Sequence, residues 1–155
     1  MRWTSVRGLA ARRLSGDDGS AIVEFCVLAV LMLVPVVYLV LTLGRLQGAA
    51  FAAQGAAREA ARAFVTAGDE GAATERADAA ALIAFADQGF ADAGLISVEV
   101  SCAASPCLAP QAQVAVRASV LVVLPAVPRL VDRYLPARIE VDARHVATVG
   151  RFRAR

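Results

Sequence analysis

The chain has 155 residues, 58% of them hydrophobic, with a mean hydropathy of +0.58. That is high for a soluble globular chain, although much of the excess is alanine, which favours helices and buries little area. A net charge of +2, carried by sixteen arginines and no lysine against fourteen acids, argues against a nucleic-acid binder, and the size leaves room for one anchor and one modest domain.

The first nineteen residues carry Arg2, Arg7, Arg12 and Arg13, followed by Asp17 and Asp18. From Phe25 to Gly44 there are twenty residues without a charge, and Glu24 stands immediately before them. Twenty apolar residues in a helix span about 30 Å, the thickness of a bilayer's hydrocarbon core, so this stretch predicts a transmembrane helix. A secretory signal would have a shorter apolar core and a small-residue cleavage site; Leu41 to Gly44 makes none, so the helix is expected to be retained. Arg12 and Arg13 before the run are nearly balanced by Arg45 and Arg58 after it. The short, arginine-bearing leading tail and the position of two downstream cysteines place the N-terminus inside and the C-terminal portion outside. That makes a single-pass protein of the cytoplasmic (inner) membrane. Glu24 is costly in hydrocarbon and must sit at the interface, cap the helix dipole in a first turn, or find a partner.

Gly19-Ser20-Ala21-Ile22-Val23-Glu24-Phe25, with Arg12-Arg13 upstream, resembles the processing site of type IV prepilin-like proteins. More narrowly, it resembles the TadE/TadG-like pseudopilins of tight-adherence (Flp) pilus systems. The resemblance implies a membrane prepilin peptidase acting on the cytoplasmic side between Gly19 and Ser20, leaving Glu24 as the fifth residue of the mature chain. It implies as well that the Glu24 carboxylate pairs with a neighbouring subunit's terminal amine, an arrangement that serves register more than net stability. Phe25 stands where many such pseudopilins have Tyr, and uncut TadE-like anchors carry the same sequence, so both fates of the Gly19–Ser20 bond stay open. Gln54-Gly55-Ala56-Ala57-Arg58-Glu59-Ala60-Ala61-Arg62-Ala63 resembles the family's helix beyond the membrane.

Nothing stops a helix between Ser20 and Thr66, and an unbroken one would run to about 70 Å, half of it outside the lipid. Pro35 removes one backbone donor within it. Gly44, Gly48 and Ala52 form a small-residue stripe. Gly68 and Gly71 flank a polar break at Asp69-Glu70. A second helix is predicted from Ala73 to Ala93, with Thr74 as a cap near its start, Gly94 as its stop, and Leu82, Ile83, Phe85, Ala86 and Phe90 as its apolar positions. Glu75, Arg76, Asp78, Asp87 and Asp92 form its solvated face.

From Leu95 the period changes to two. Ile96, Val98, Val100 and Cys102 alternate with polar residues, as do Val114, Val116, Ala118 and Val120, and then Ile139, Val141 and Ala143. The prediction is an α+β fold: a long N-terminal helix, a second helix, then about three antiparallel strands. Leu121 to Pro136, with Val127, Leu130, Val131 and Tyr134, suits a short amphipathic helix or a lipid-grazing turn and is too broken by proline for a second span. The tail Arg151 to Arg155 carries three arginines, a solvated end or a contact for an anionic surface. The domain reading is 1–19 as a basic cytoplasmic leader or tail, 20–66 as the transmembrane and extended helix, and 67–155 as the extracytoplasmic α+β domain.

Cys102 and Cys107 enclose a short connection whose spacing permits a disulfide, a bond expected only outside the cytoplasm. Cys26 reads as an inert small hydrophobe within the apolar run. His145 is the one histidine, at the end of a strand pattern. It has no neighbouring nucleophile or acid that would make a catalytic device or a zinc site, and no glycine-rich phosphate loop exists. The chain therefore reads as a non-enzyme without cofactors, metal, nucleic acid or small-molecule substrate. Its expected partners are membrane lipid, other pilin-like subunits, the pilus assembly platform and a prepilin peptidase. The leading expectation is a pseudopilin or minor pilin that helps build a Flp-type pilus or related secretion filament. The alternative is an uncut single-pass protein whose small outer domain binds an envelope partner.

Overall fold

The computed structural model describes residues 17–124 and 138–152, with only the backbone of residues 17–20 and of Ala93 entering. The predicted tail before residue 17, the proline-rich stretch 125–137 and the last three residues lie outside the described residues. The chain forms two compact units, Met1–Tyr38 and Leu39–Arg155.

A single helix, α1, covers Asp17–Thr66, 50 residues with Pro35 inside. From Phe25 onward within the first unit it is apolar all round, and Ile22, Val23, Phe25, Leu28, Leu31 and Val34 are all exposed. A helix that is hydrophobic on every side and covered by nothing is suited to lipid rather than water. The window of highest hydropathy averages 2.8 and none of it is buried.

Within the second unit the pattern of α1 changes. Ala49, Ala52, Ala53, Ala56, Ala57, Ala60, Ala61 and Phe64 are buried, while Gln54, Arg58, Glu59 and Arg62 face outward. The i, i+3, i+4, i+7 spacing puts the alanines in one stripe. Thr66 ends the helix, its hydroxyl donating to the carbonyls of Arg62 (2.9 Å) and Ala63 (3.2 Å).

Helix α2 runs Glu70–Asp87. Its cap is Asp69, whose carboxylate accepts from the Ala72 amide at 2.9 Å, and not Thr74, whose hydroxyl donates back to the Glu70 carbonyl at 3.2 Å. A residue with extended backbone and a short acceptor just before the first turn satisfies the orphan amides, which one already five residues into the helix does not reach. The helix also stops earlier than Gly94. Gly89 takes φ +82, the Phe90 amide donates to the Phe85 carbonyl and the Gly89 amide to that of Ala86, both at 2.9 Å. That pair of bonds is a Schellman stop, with Phe90 and Phe85 as its apolar partners. The buried face of α2 is Ala73, Ala77, Ala81 and Phe85; Leu82 and Ile83 are exposed at 38% and 63%. Of the expected apolar positions, Phe85 is buried, Phe90 half-buried, and Leu82, Ile83 and Ala86 face out.

After a short 3-10 turn, Ala93–Leu95, come β1 (Ile96–Cys102), β2 (Gln113–Val123) and β3 (Arg138–Thr148). They form one antiparallel sheet in the order β1-β2-β3. The architecture is α+β, as the residue periods predict. On the central strand Val114, Val116, Ala118, Val120 and Val122 are buried. With the alanines of α1 and α2, Phe64, Phe85 and Leu108, they make one core. Alanine lets helices lie close to the sheet, so valine, phenylalanine and leucine supply most of the buried area.

Candidate anchoring and assembly site

Glu24 lies on α1 directly before the apolar run, with its side chain exposed. The described part of α1 runs from Asp17, so Glu24 lies at least seven residues into the helix and outside its first turn. The dipole acts within the first turn, so it does not account for this acid. The Gly19–Ser20 bond lies inside α1. Residues four apart share a helix face, so Glu24 is one turn above Ser20 on the same side. Cys26 is a free, exposed thiol within an apolar face made with Ile22, Val23, Val27, Val30 and Leu31.

In the second unit, Cys102 and Cys107 are joined, with S–S 2.05 Å and Cα–Cα 5.2 Å. Cys102 ends β1 opposite Val114. The loop folds back so that Leu108 enters the core, and the Cys107 amide donates to the Glu70 carboxylate. Past the loop, Gln111 takes φ 63, its amide donates to the Val149 carbonyl and the Val149 amide to that of Ala112. The disulfide loop is thus held to β1, to the start of α2 and to the end of β3.

His145 is on the helix-facing side of β3, opposite Val116 and half-buried. Among the described residues no three His, Cys, Asp or Glu side chains gather as metal ligands. The open face of the sheet carries the Arg117–Asp142 pair, Nε to Oδ2 at 3.1 Å, both side chains nearly half exposed. The Asp142 hydrogen bond, then its charge, raise the Arg117 pKa above the usual arginine value.

Three features escape a sequence reading. The glutamate at position 70 reads only as part of a polar break, yet it reaches the disulfide loop. The Gly89 stop was signalled by glycine five residues before Gly94, but both fit the pattern. Arg45 places its guanidinium carbon 5.5 Å from the centre of the Phe90 ring, a juxtaposition that no local pattern encodes.

These elements define an α+β protein with one long apolar N-terminal helix, consistent with a single-pass membrane anchor. Residues 19–62 match the family described as TadE-like protein, so the chain carries a TadE-like domain over its apolar run and the alanine-rich helix beyond it. No curated protein and no solved structure matches the chain. A TadE-like domain suggests a component associated with Tad pili, a structural rather than enzymatic family, with membrane and pilus components as its surroundings.

Proposed function

We propose that the chain is a TadE-like pseudopilin or minor pilin, anchored in the cytoplasmic membrane by residues 25–44. Its N-terminus is cytoplasmic and its disulfide-bearing domain outside, and it acts as a structural subunit in assembling a Flp/Tad-type pilus or related secretion filament. The observation that carries this reading is the family match beginning at Gly19, the residue before the proposed cut, and including Glu24. Cleavage at Gly19–Ser20 frees an amine one turn from Glu24. That carboxylate, with no dipole to answer in the intact helix, then meets the amine of an adjoining subunit. The protein brings no chemistry of its own: the force for assembly comes from other proteins of the system.

One observation favours a second reading, the uncut anchor whose outer domain binds an envelope partner: the Gly19–Ser20 bond is held within helix α1. Mass spectrometry of the chain purified from its native membrane separates the two. A mature N-terminus at Ser20, with the protein in sheared surface filaments, supports the pilin-like role. An intact Met1 and a protein confined to the membrane support the anchor.

A further inference from the structure

We propose that the Arg45–Phe90 corner of the second unit seats the phosphate of an anionic phospholipid headgroup; this rests on the membrane-anchor reading above. Arg45 is the first charged residue after the apolar run, and Leu39, Val40, Leu41 and Leu43 just before it are exposed. It therefore emerges where hydrocarbon gives way to headgroups. Its guanidinium lies over the Phe90 ring and, among the described residues, makes no ion pair. A guanidinium has five donors in a fork that matches phosphate, and stacking on a ring leaves its edge free to donate.

The ring is itself fixed. Gly89 and the Phe90 amide close the Schellman stop of α2 and fix the Phe90 backbone, and its side chain packs half-buried against the core. Arg45 and Phe90 line a cleft of about 110 Å³ whose far wall is the end of β2, Val122 and the half-exposed Val123. Such a volume admits a phosphate group and little more, with apolar residues at the rim for the glycerol and first methylenes. Asp92 lines the same cleft, its carboxylate accepting from the Gly94 amide at 3.0 Å, and its charge opposes an anion there. One arginine in water holds free phosphate weakly. A helix that already crosses the bilayer presents headgroups to it at high local concentration, and that tether makes a lipid the occupant.

The test uses the full chain in lipid nanodiscs, of phosphatidylcholine alone and of an equal mixture with phosphatidylglycerol, with amide hydrogen exchange read across residues 88–95 and 121–124. In the mixed discs these amides should exchange about fivefold more slowly, the factor one arginine near an anionic surface is worth. Arg45→Gln should abolish the difference, Arg45→Lys should restore part of it, and Asp92→Asn should enlarge it. Equal exchange in both discs, or a difference that survives Arg45→Gln, overturns the proposal. So does equal slowing by inorganic phosphate added to phosphatidylcholine discs, which would make the site one for free anions. A chain that fails to enter discs at all, seen by size-exclusion before any exchange is measured, overturns the anchor reading and this proposal with it.

Discussion

The Glu70 carboxylate accepts a hydrogen bond from the Cys107 backbone amide at 2.6 Å, linking residues 37 apart in sequence. It joins the first residue of α2 to the disulfide loop and so fixes the loop that delivers Leu108 to the core. The contact is exposed, so its worth falls below the usual range for a charged acceptor, to about 1 kcal/mol. Glu70→Ala should speed hydrogen exchange at Cys107 and Leu108 and lower stability to urea by that amount. Glu70→Gln, which keeps a neutral acceptor, should lose less. Unchanged exchange at Cys107 in the alanine variant would show that the loop holds its shape without Glu70.

Much of this architecture is legible in the residue pattern, and the misreadings have a common cause. The change from an all-apolar helix to strands of period two is written plainly, because lipid-facing and half-buried segments differ in period. The faces of α2 are not. In a helix where alanine supplies the buried stripe, the larger Leu82 and Ile83 draw the eye, yet Ala73, Ala77 and Ala81 are what fit beneath against the core. Size ceases to report burial when close approach is what packing requires. The cap was missed for a related reason: Asp69 and Thr74 are both good cappers, and only the backbone conformation of Asp69, φ −140 and ψ 170, decides between them. At the candidate site, the order of Gly19, Ser20, Glu24 and Phe25 is read directly from sequence.

The disulfide closes a short loop, for which chain entropy gives about 2 kcal/mol. Replacing Cys102 and Cys107 together by Ser should lower the stability of the outer domain by that amount and leave membrane insertion unchanged. Alkylation of the native chain before and after reduction, followed by mass spectrometry, should show two further thiols released. Release of none would mean that the bond does not form in the cell.

Arg117 has its pKa raised in the fold, by the Asp142 hydrogen bond first and its charge second. A cation with a raised folded pKa contributes stability fully below its unfolded pKa and loses it only as pH climbs through the folded value. The contribution therefore stays constant across the neutral range and fades only at the alkaline extreme. The difference in melting temperature between the native chain and Arg117→Gln should be flat from about pH 7 to about pH 10. A difference that shrinks steadily over that window would mean that another titrating group controls the pair.

Gly48 and Gly55 interrupt an alanine-rich helix, and a Cβ at either would meet nothing within 4 Å. With no internal contact requiring glycine, alanine should stabilise the helix by about 0.5–1 kcal/mol at each position through lower chain entropy and better propensity. Urea unfolding of Gly48→Ala and Gly55→Ala in detergent micelles measures this. Destabilisation by either variant would reveal a close approach that the single chain does not contain.

Glu24 gives the sharpest test of the proposed assembly role, because the two readings predict effects of different size. If cleavage exposes an amine at Ser20 that pairs with Glu24 of an adjoining subunit inside lipid, removing the carboxylate leaves a buried cation without a partner. Breaking such a pair costs about 3–5 kcal/mol, more than a hundredfold in association. Glu24→Gln should then abolish recovery in sheared filaments, while insertion and the mass of the mature N-terminus stay as in the native chain. If the anchor stays uncut, Glu24 lies beyond the first turn of α1 and rests at the headgroup interface. Its neutral isostere should then change nothing beyond a few tenths of a kcal/mol, about what a surface substitution costs. Quantitative comparison of filament and membrane fractions for the native chain, Glu24→Gln and Glu24→Asp distinguishes these outcomes. A glutamine variant found in filaments at native levels would remove Glu24 from the assembly mechanism, whatever happens at Gly19.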